Sequence, residues 1–289
     1  MKILILGSSG MLGYSLFKNL SEKNHLEVYG TIRNKEVFKA KFSSSEYDKI
    51  FELDVFEDAN KISNTIKKIN PDFVINCIGA ITQKKSKKYE LIFLNSLLPL
   101  IIQGICDDNS SKLIHFSTDC VFNGEKGNYE EDDLSDAYDL YGKSKYLGEI
   151  LSNTHLTIRT SIIGHELKNN VSLVDWFLSQ DKTVTGYKNA IFSGFPCVYL
   201  AEILSEYIFD NKSLNGLMHI AAKPICKYDL LKKIANVYKK GTRIEPYDNY
   251  YSNKSLNSSK FDTLVGFHPP EWDYLINLMH EDYCKYYIN

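Results

Sequence analysis

Apolar positions in the first half of the chain follow two rhythms. Brief unbroken runs, "KILIL" (2–6), "LEVYGTI" (26–32), "IFEL" (50–53), "DFVINCI" (72–78) and "KLIHFS" (112–117), are bounded by Gly, Asn, Pro or Ser. Such runs predict strands buried on both faces. Between them, helix-period stretches at 11–22, 58–69 and 88–107 are long enough to cross over between parallel strands. Strand and helix in alternation, with continuously apolar strands, predict an α/β fold built on a doubly wound parallel sheet. A helix over 139–152 and a strand over 156–162 extend it.

Past residue 163 the rhythm loosens. Helices are expected at 172–179, 198–209 and 228–240, a strand at 217–221, and a closing helix at 271–286. The polar stretch "NYYSNKSLNSSKF" (249–261) reads as a surface loop. The organisation expected is a main domain over 1–163 and a smaller lobe over 164–289, with some of its segments returning to the sheet. The one dense charge run, "KKSKK" (84–88), predicts a solvated helix start or the border of an anionic ligand.

Composition narrows the function classes. The 289 residues are 44% hydrophobic with a formal net charge of −2, so no strong basic field draws the chain to nucleic acid or an anionic membrane. The six cysteines (Cys77, Cys106, Cys120, Cys197, Cys226, Cys284) show no paired spacing, and no signal peptide is read in "MKILILG". A cytoplasmic protein with reduced thiols is expected. No apolar run reaches the ~18 residues of a membrane span. The seven histidines are dispersed without HxxxH or HExxH, so no metal site is expected.

The first chemistry lies in "LILGSSGMLGYSL". Gly7, Gly10 and Gly13 follow the first strand and enter the first helix, where glycines permit a tight turn, close approach of a pyrophosphate, and helix–strand packing. The helix N-terminus then offers free N–H groups to phosphate. With strand before and helix after, the pattern predicts a Rossmann dinucleotide site with contacts from Gly7, Ser9, Gly10, Met11, Leu12 and Gly13. The second strand ends "VYGTIRN" without the acid that would bind the ribose of NAD, and Arg33 follows. Arg33 suits the extra phosphate of NADP, which is favoured over NAD. Asp54 and Val55 after the third strand, and Cys77, Ile78 and Gly79 after the fourth, would border the same ligand.

The fifth strand runs into "FSTDCVFNG", and "YDLYGKSKYLGE" opens the next helix. Tyr141 and Lys145 are one turn apart on one face, and an ammonium beside a phenol would lower the phenol pKa. Thr118, Tyr141 and Lys145 would then converge beside the nicotinamide. Tyr141 would give a proton to a ketone oxygen receiving hydride, Thr118 would orient that oxygen, and Lys145 would bond the nicotinamide ribose.

GSSGMLG, the NCIG turn, STDCVFNG, YGKSK and the arginine of TIRTSIIG together resemble the extended short-chain dehydrogenase/reductases, and most closely their dTDP-4-dehydrorhamnose reductase branch. The resemblance spans the whole chain. It implies a Thr118–Tyr141–Lys145 catalytic triad and an NADPH- or NADH-dependent reduction of the 4-keto group of a nucleotide-linked 6-deoxyhexulose. The sugar would be of the dTDP-4-dehydro-L-rhamnose type or a UDP-linked 2-acetamido-2,6-dideoxy relative. The C-terminal lobe, with "KNAIFSGFPCVYLAEIL", would hold the nucleotide sugar, and a homodimer is a family expectation.

One position departs from that branch: Cys120 stands where it usually carries Tyr. Sugar 4,6-dehydratases carry Thr-Asp-Glu here, and Cys120 stands in place of that Glu, which weakens a dehydratase reading, whereas bifunctional epimerase-reductases carry Cys at this offset. Cys120 is therefore either a small buried hydrophobe or an epimerising acid or base, with no clean second residue unless His165 serves. A further alternative is a non-catalytic, NADP-binding regulatory subunit, since relatives of this branch have become partners of other enzymes. Substrate contacts are expected from Thr118, Asp119, Cys120 and Trp176. Arg159 is expected to pair structurally, and Phe177, Phe192 and Phe195 to pack in the core unless they wall the pocket. Lys182 and Lys188 are expected at the surface unless they meet the diphosphate of the nucleotide sugar.

Overall fold

A computed structural model describes residues 1–57, 60–81, 87–168 and 171–288. Its strands in chain order are β1 (Lys2–Leu6), β2 (Glu27–Ile32), β3 (Ile50–Glu52), β4 (Phe73–Asn76), β5 (Lys112–Thr118), β6 (Leu156–Thr160), β7 (Ile162–Ile163), β8 (Val184–Phe192), β9 (Phe195–Pro196), β10 (Gly216–His219), β11 (Ile225–Cys226) and β12 (Ile244–Asn253). Seven of them make one parallel sheet in the order β10-β6-β5-β4-β1-β2-β3. The order reverses at β1, whose two neighbours are β2 and β4, and the carboxyl ends beside that reversal form a natural ligand crevice.

Alternation along the strands divides the core into two layers. Ile3, Ile5, Phe73, Ile75, Ile114 and Phe116 face one way, onto Leu16 and Phe17 of the helix Met11–Ser21 and onto the helices Cys197–Ile203 and Trp272–Tyr286. Leu4, Leu6, Val74 and Leu113 face the other way, onto Ile62 and Ile66 of Asn60–Ile69 and Leu98 and Ile102 of the helix Lys88–Asp108. Both faces are covered, which is why the strands read as unbroken apolar runs.

The predicted helix at 88–107 is found, with an interruption. Its middle, Phe93–Leu97, is a π-helical segment between α-helical Lys88–Ile92 and Leu98–Asp108. By length and composition this helix could cross a bilayer, although no single unbroken apolar run announces it. Its inner face, with Leu98, Pro99, Ile102 and Cys106, belongs to the core. The helix predicted at 58–69 is described from Asn60 onward. Of "KKSKK", residues 84–86 lie outside the described residues, and Lys88 begins the helix.

Three other expectations are corrected. The helix predicted to 152 ends at Leu147, because Gly148 leaves helical geometry and its backbone passes hard against the Asn95 carbonyl. The strand predicted over 156–162 breaks after Thr160, and Ile162–Ile163 pairs with β9 instead. The loop predicted at 249–261 is in its first part the end of β12, which runs parallel to β8, and Ser259–Val265 is helical. β12 is exposed along most of its length, so the backbone ladder holds it and no apolar alternation announces it.

One buried ion pair ties the sheet to the chain leaving the helix Leu140–Leu147. Arg159 on β6 donates from Nε to Glu149 Oε1 at 2.7 Å and from Nη2 to Oε2 at 2.8 Å. Ser117 on β5 donates to the same Oε1 at 2.6 Å, and the guanidinium also lies over the Phe122 ring. Arg159 is thus structural, as the sequence suggests. Removing one partner strands a buried charge, so Glu149→Ala should lower the unfolding free energy by about 3–5 kcal/mol in urea titration. A change within 0.5 kcal/mol would reject the pair as a structural anchor.

Candidate functional site

Gly7 ends β1 with φ +87, a conformation that side chains disfavour. Its N–H donates to Thr31 Oγ1 at 3.1 Å, and Ser8 N–H donates to the Thr31 carbonyl at 2.8 Å, so β2 fixes the turn. Gly10 is the N-cap of Met11–Ser21 and brings no capping side chain. The first intrahelical bond comes from Tyr14 N–H, which leaves the N–H groups of the first turn without helical acceptors. A Cβ at Gly13 would stand 2.3 Å from the Gly7 carbonyl oxygen, so this glycine serves the packing of helix on turn. An uncapped helix N-terminus with no acid in its first turn fits the phosphates of a dinucleotide.

That turn opens into a cavity of about 850 Å³ along the carboxyl edge of the sheet. One end is lined by Gly7, Ser9, Gly10, Met11 and Leu12 with Arg33, Asp54 and Val55. Cys77, Ile78 and Gly79 form its middle, and Thr118, Asp119, Cys120, Tyr141 and Lys145 its other end. Of the residues singled out from the sequence as site contacts, Gly13 and Trp176 do not line it. Trp176 lies partly exposed on the helix Leu173–Leu178. His165 is also outside, with Nδ1 on Asp175 at 2.5 Å and Nε2 on the Tyr238 hydroxyl at 2.8 Å.

The helix Leu140–Leu147, capped by Asp139 at the Gly142 N–H, carries Tyr141 and Lys145 into the cavity. Thr118 Oγ1 donates to Asp119 Oδ1 at 3.2 Å and accepts from Cys120 N–H at 3.1 Å. Burial pushes the Tyr141 phenol well above its ordinary range and Cys120 adds to this, while a hydrogen bond with Thr118 acts against them. Lys145 is buried, donates to the Phe116 carbonyl at 2.7 Å, and is pulled down by desolvation to about 8. The expectation that Lys145 lowers the phenol pKa is therefore corrected: the ammonium is held by a carbonyl, and desolvation dominates the phenol. Burial likewise raises the Cys120 thiol to about 12, and it raises Asp119.

Several lining residues had no signal in the sequence. Asn95, from the π segment, accepts from Ala80 N–H and donates to the Ala80 carbonyl, both at 2.9 Å, which fixes the chain just after Gly79. Thr31, Thr160, Ser161, Glu166 and Ser172 complete the walls. Strand ends can be located from periodicity, and Thr31 and Thr160 lie there; Glu166 and Ser172 arrive only through tertiary packing.

The chain also resembles known proteins. Residues 1–284 match the family model described as RmlD substrate binding domain, and the chain belongs to that family. It is 26% identical over 299 residues to a dTDP-4-dehydrorhamnose reductase of Aggregatibacter actinomycetemcomitans, covering 94% of this chain and 95% of that one. A crystal structure of a hypothetical dTDP-4-dehydrorhamnose reductase from Sulfolobus tokodaii superposes with TM-score 0.75 at 28% identity, covering 94% and 98% of the two chains. That of a Bacillus anthracis dTDP-4-dehydrorhamnose reductase in complex with NADP superposes with TM-score 0.78 at 20% identity, covering 97% and 99%.

The buried Lys145 has a measurable consequence. Its folded pKa, about 8, lies below the unfolded value near 10.4, so between those limits the unfolded chain holds more protons and stability rises with pH. Relative to Lys145→Met, the unfolding free energy of the wild type should gain about 2–3 kcal/mol from pH 8 to 10.5. A flat difference across that window would show that the ammonium bears no desolvation cost.

Proposed function

We propose that the chain binds NADPH along this cavity and reduces the 4-keto group of a nucleotide-linked 4-keto-6-deoxyhexulose, carried on dTDP or UDP. One observation carries the reading: an uncapped glycine turn and a Thr118–Tyr141–Lys145 cluster line one and the same cavity. The family and the names of the relatives support the same reaction class.

NADPH, when bound, supplies the hydride. Everything else falls to the chain. A phenol raised by burial keeps its proton throughout the neutral range, so Tyr141 waits as the acid that neutralises charge arising on the ketone oxygen. Thr118 Oγ1, held by Cys120 N–H, would turn its one proton from Asp119 Oδ1 to that oxygen. Lys145 uses one N–H on the Phe116 carbonyl and has others for a ribose hydroxyl. The exposed Arg33 is suited to a 2′-phosphate, and β2 ends at Ile32 without a competing acid.

Cys120 lines the cavity, but a thiol that burial raises to about 12 keeps its proton near neutral pH and offers little thiolate to act as a base, which favours plain reduction over added epimerisation. The cluster's completeness favours an enzyme over a regulatory subunit.

Purified protein should oxidise NADPH in the presence of a dTDP- or UDP-linked 4-keto-6-deoxy sugar. Folded, cofactor-binding protein that turns over neither would overturn the reading. Deuterium from solvent found at other ring carbons would replace it with the epimerising one. Tyr141→Phe should lower kcat by roughly 10²–10⁴-fold with NADPH binding kept, and full activity would reject Tyr141 as the acid. Arg33→Ala should raise KM for NADPH about tenfold and leave that for NADH unchanged. Equal effects on both would remove Arg33 from the phosphate.

A further inference from the structure

Two cavity-lining segments from different parts of the fold meet each other. One follows β2, with Arg33 in the cavity wall and Phe38 further along, in the short helix Glu36–Lys41. The other follows β7 and brings Glu166, Val171, Ser172 and Leu173 to the same cavity. Within it Lys168 is exposed, and its ammonium stands 4.4 Å over the Phe38 ring. Phe38 and Leu167 both pack partly against the core, so the contact is anchored on each side.

A buried network that the reduction does not use holds the second segment in place. Asp175 Oδ2 accepts from Glu166 N–H at 2.7 Å and from Ser172 Oγ at 3.1 Å, while its Oδ1 meets His165 Nδ1 at 2.5 Å. Gly164 comes so near the first helix that an added Cβ would lie 3.5 Å from Met11 Cγ. The segment thus starts beside the uncapped helix end that suits a pyrophosphate, and Lys168 carries it to the segment of Arg33.

The charges here select the ligand. Lys35 and Lys39 lie over the Tyr47 ring at 4.0 and 5.6 Å, and Lys39 also pairs with Glu36 at 4.0 Å. Glu36 accepts from the Tyr47 hydroxyl and Glu52 from Lys35 N–H, both at 2.8 Å. Arg33 and Lys168 make no hydrogen bond or ion pair among the described residues, so both charges are unspent. A phosphate monoester matches such a pair. It carries about two negative charges and three acceptor oxygens, enough for an arginine fork and a point ammonium together. With its three N–H donors, the Lys168 ammonium can stay on the ring and still donate to that phosphate.

We propose, on the basis of the NADPH reading above, that Lys168 is a second ligand of the cofactor's 2′-phosphate together with Arg33, and that the Phe38 ring holds its ammonium ready for it.

The full chain should be titrated with NADPH and NADH by nicotinamide fluorescence, and with adenosine 2′,5′-bisphosphate by calorimetry. Lys168→Met should weaken NADPH and the bisphosphate roughly tenfold, and NADH by less than about twofold. Lys168→Arg keeps the charge and should stay within about threefold of wild type. Phe38→Leu should weaken NADPH about threefold with its melting temperature unchanged. A wild type that binds NADH as tightly as NADPH overturns the cofactor reading, and this role with it. A wild type that prefers NADPH, and keeps that preference in Lys168→Met, overturns Lys168 alone. Equal weakening of both cofactors makes Lys168 a mere wall of the cavity and also overturns the phosphate role. An unchanged Kd in Phe38→Leu overturns the part given to the ring.

Discussion

The site depends on how closely one short helix approaches its neighbours. A Cβ on Gly142 would lie 2.1 Å from the Cys120 carbonyl oxygen, and one on Gly148 would lie 1.9 Å from that of Asn95. Both obstacles are backbone, which has no rotamer to yield. Leu140–Leu147 therefore sits against the end of β5 on one side and the π segment on the other because these two positions lack side chains. That contact sets Tyr141 beside Thr118 and lets Lys145 reach the Phe116 carbonyl. In the sequence both glycines look unremarkable: one lies inside "YGKSK" and the other at a helix end.

Close packing also dries this end of the cavity, and dryness governs its electrostatics. The same burial that raises Tyr141, Cys120 and Asp119 lowers Lys145 and holds His115 neutral. Proximity on a helical wheel suggests an ammonium tuning a phenol. Desolvation of both groups in one wall is the larger effect, because a charge there loses its water before it gains a partner. An ammonium held on a carbonyl and a phenol that keeps its proton are what proton delivery to a new alkoxide requires.

The strands of the large sheet were legible because burial on both faces leaves unbroken apolar runs, and the glycine turn because strand, glycines and helix occur in order. The cavity ends of β1, β4 and β5 followed from the same logic. What escaped was stabilised by means that leave no apolar rhythm. β12 is polar and exposed and is fixed by its ladder to β8. Ser161, Glu166 and Ser172 enter the cavity from beyond β6, where chain direction depends on the pairing of β7 with β9. Trp176 attracted a substrate role by its chemistry alone, and its helix leaves it at the surface outside the cavity wall.

The π segment explains how one helix can serve the cavity on one face and present an apolar stripe on the other. Leu94, Asn95 and Ser96 are consecutive and all buried. The wider turn accommodates an additional inward residue. Leu94 and Asn95 reach the cavity, and Ser96 reaches the Ser144 carbonyl. The next turn then resumes α-helical phase, with Leu98 and Ile102 inward and Leu97, Leu100 and Ile101 outward. Without the insertion the phase would slip by most of a third of a turn, so that either Asn95 would leave Ala80 or the outward leucines would rotate into the core. The irregularity is thus the joint that lets the inner wall and the outer face be specified separately, which is the use such segments commonly have near functional sites.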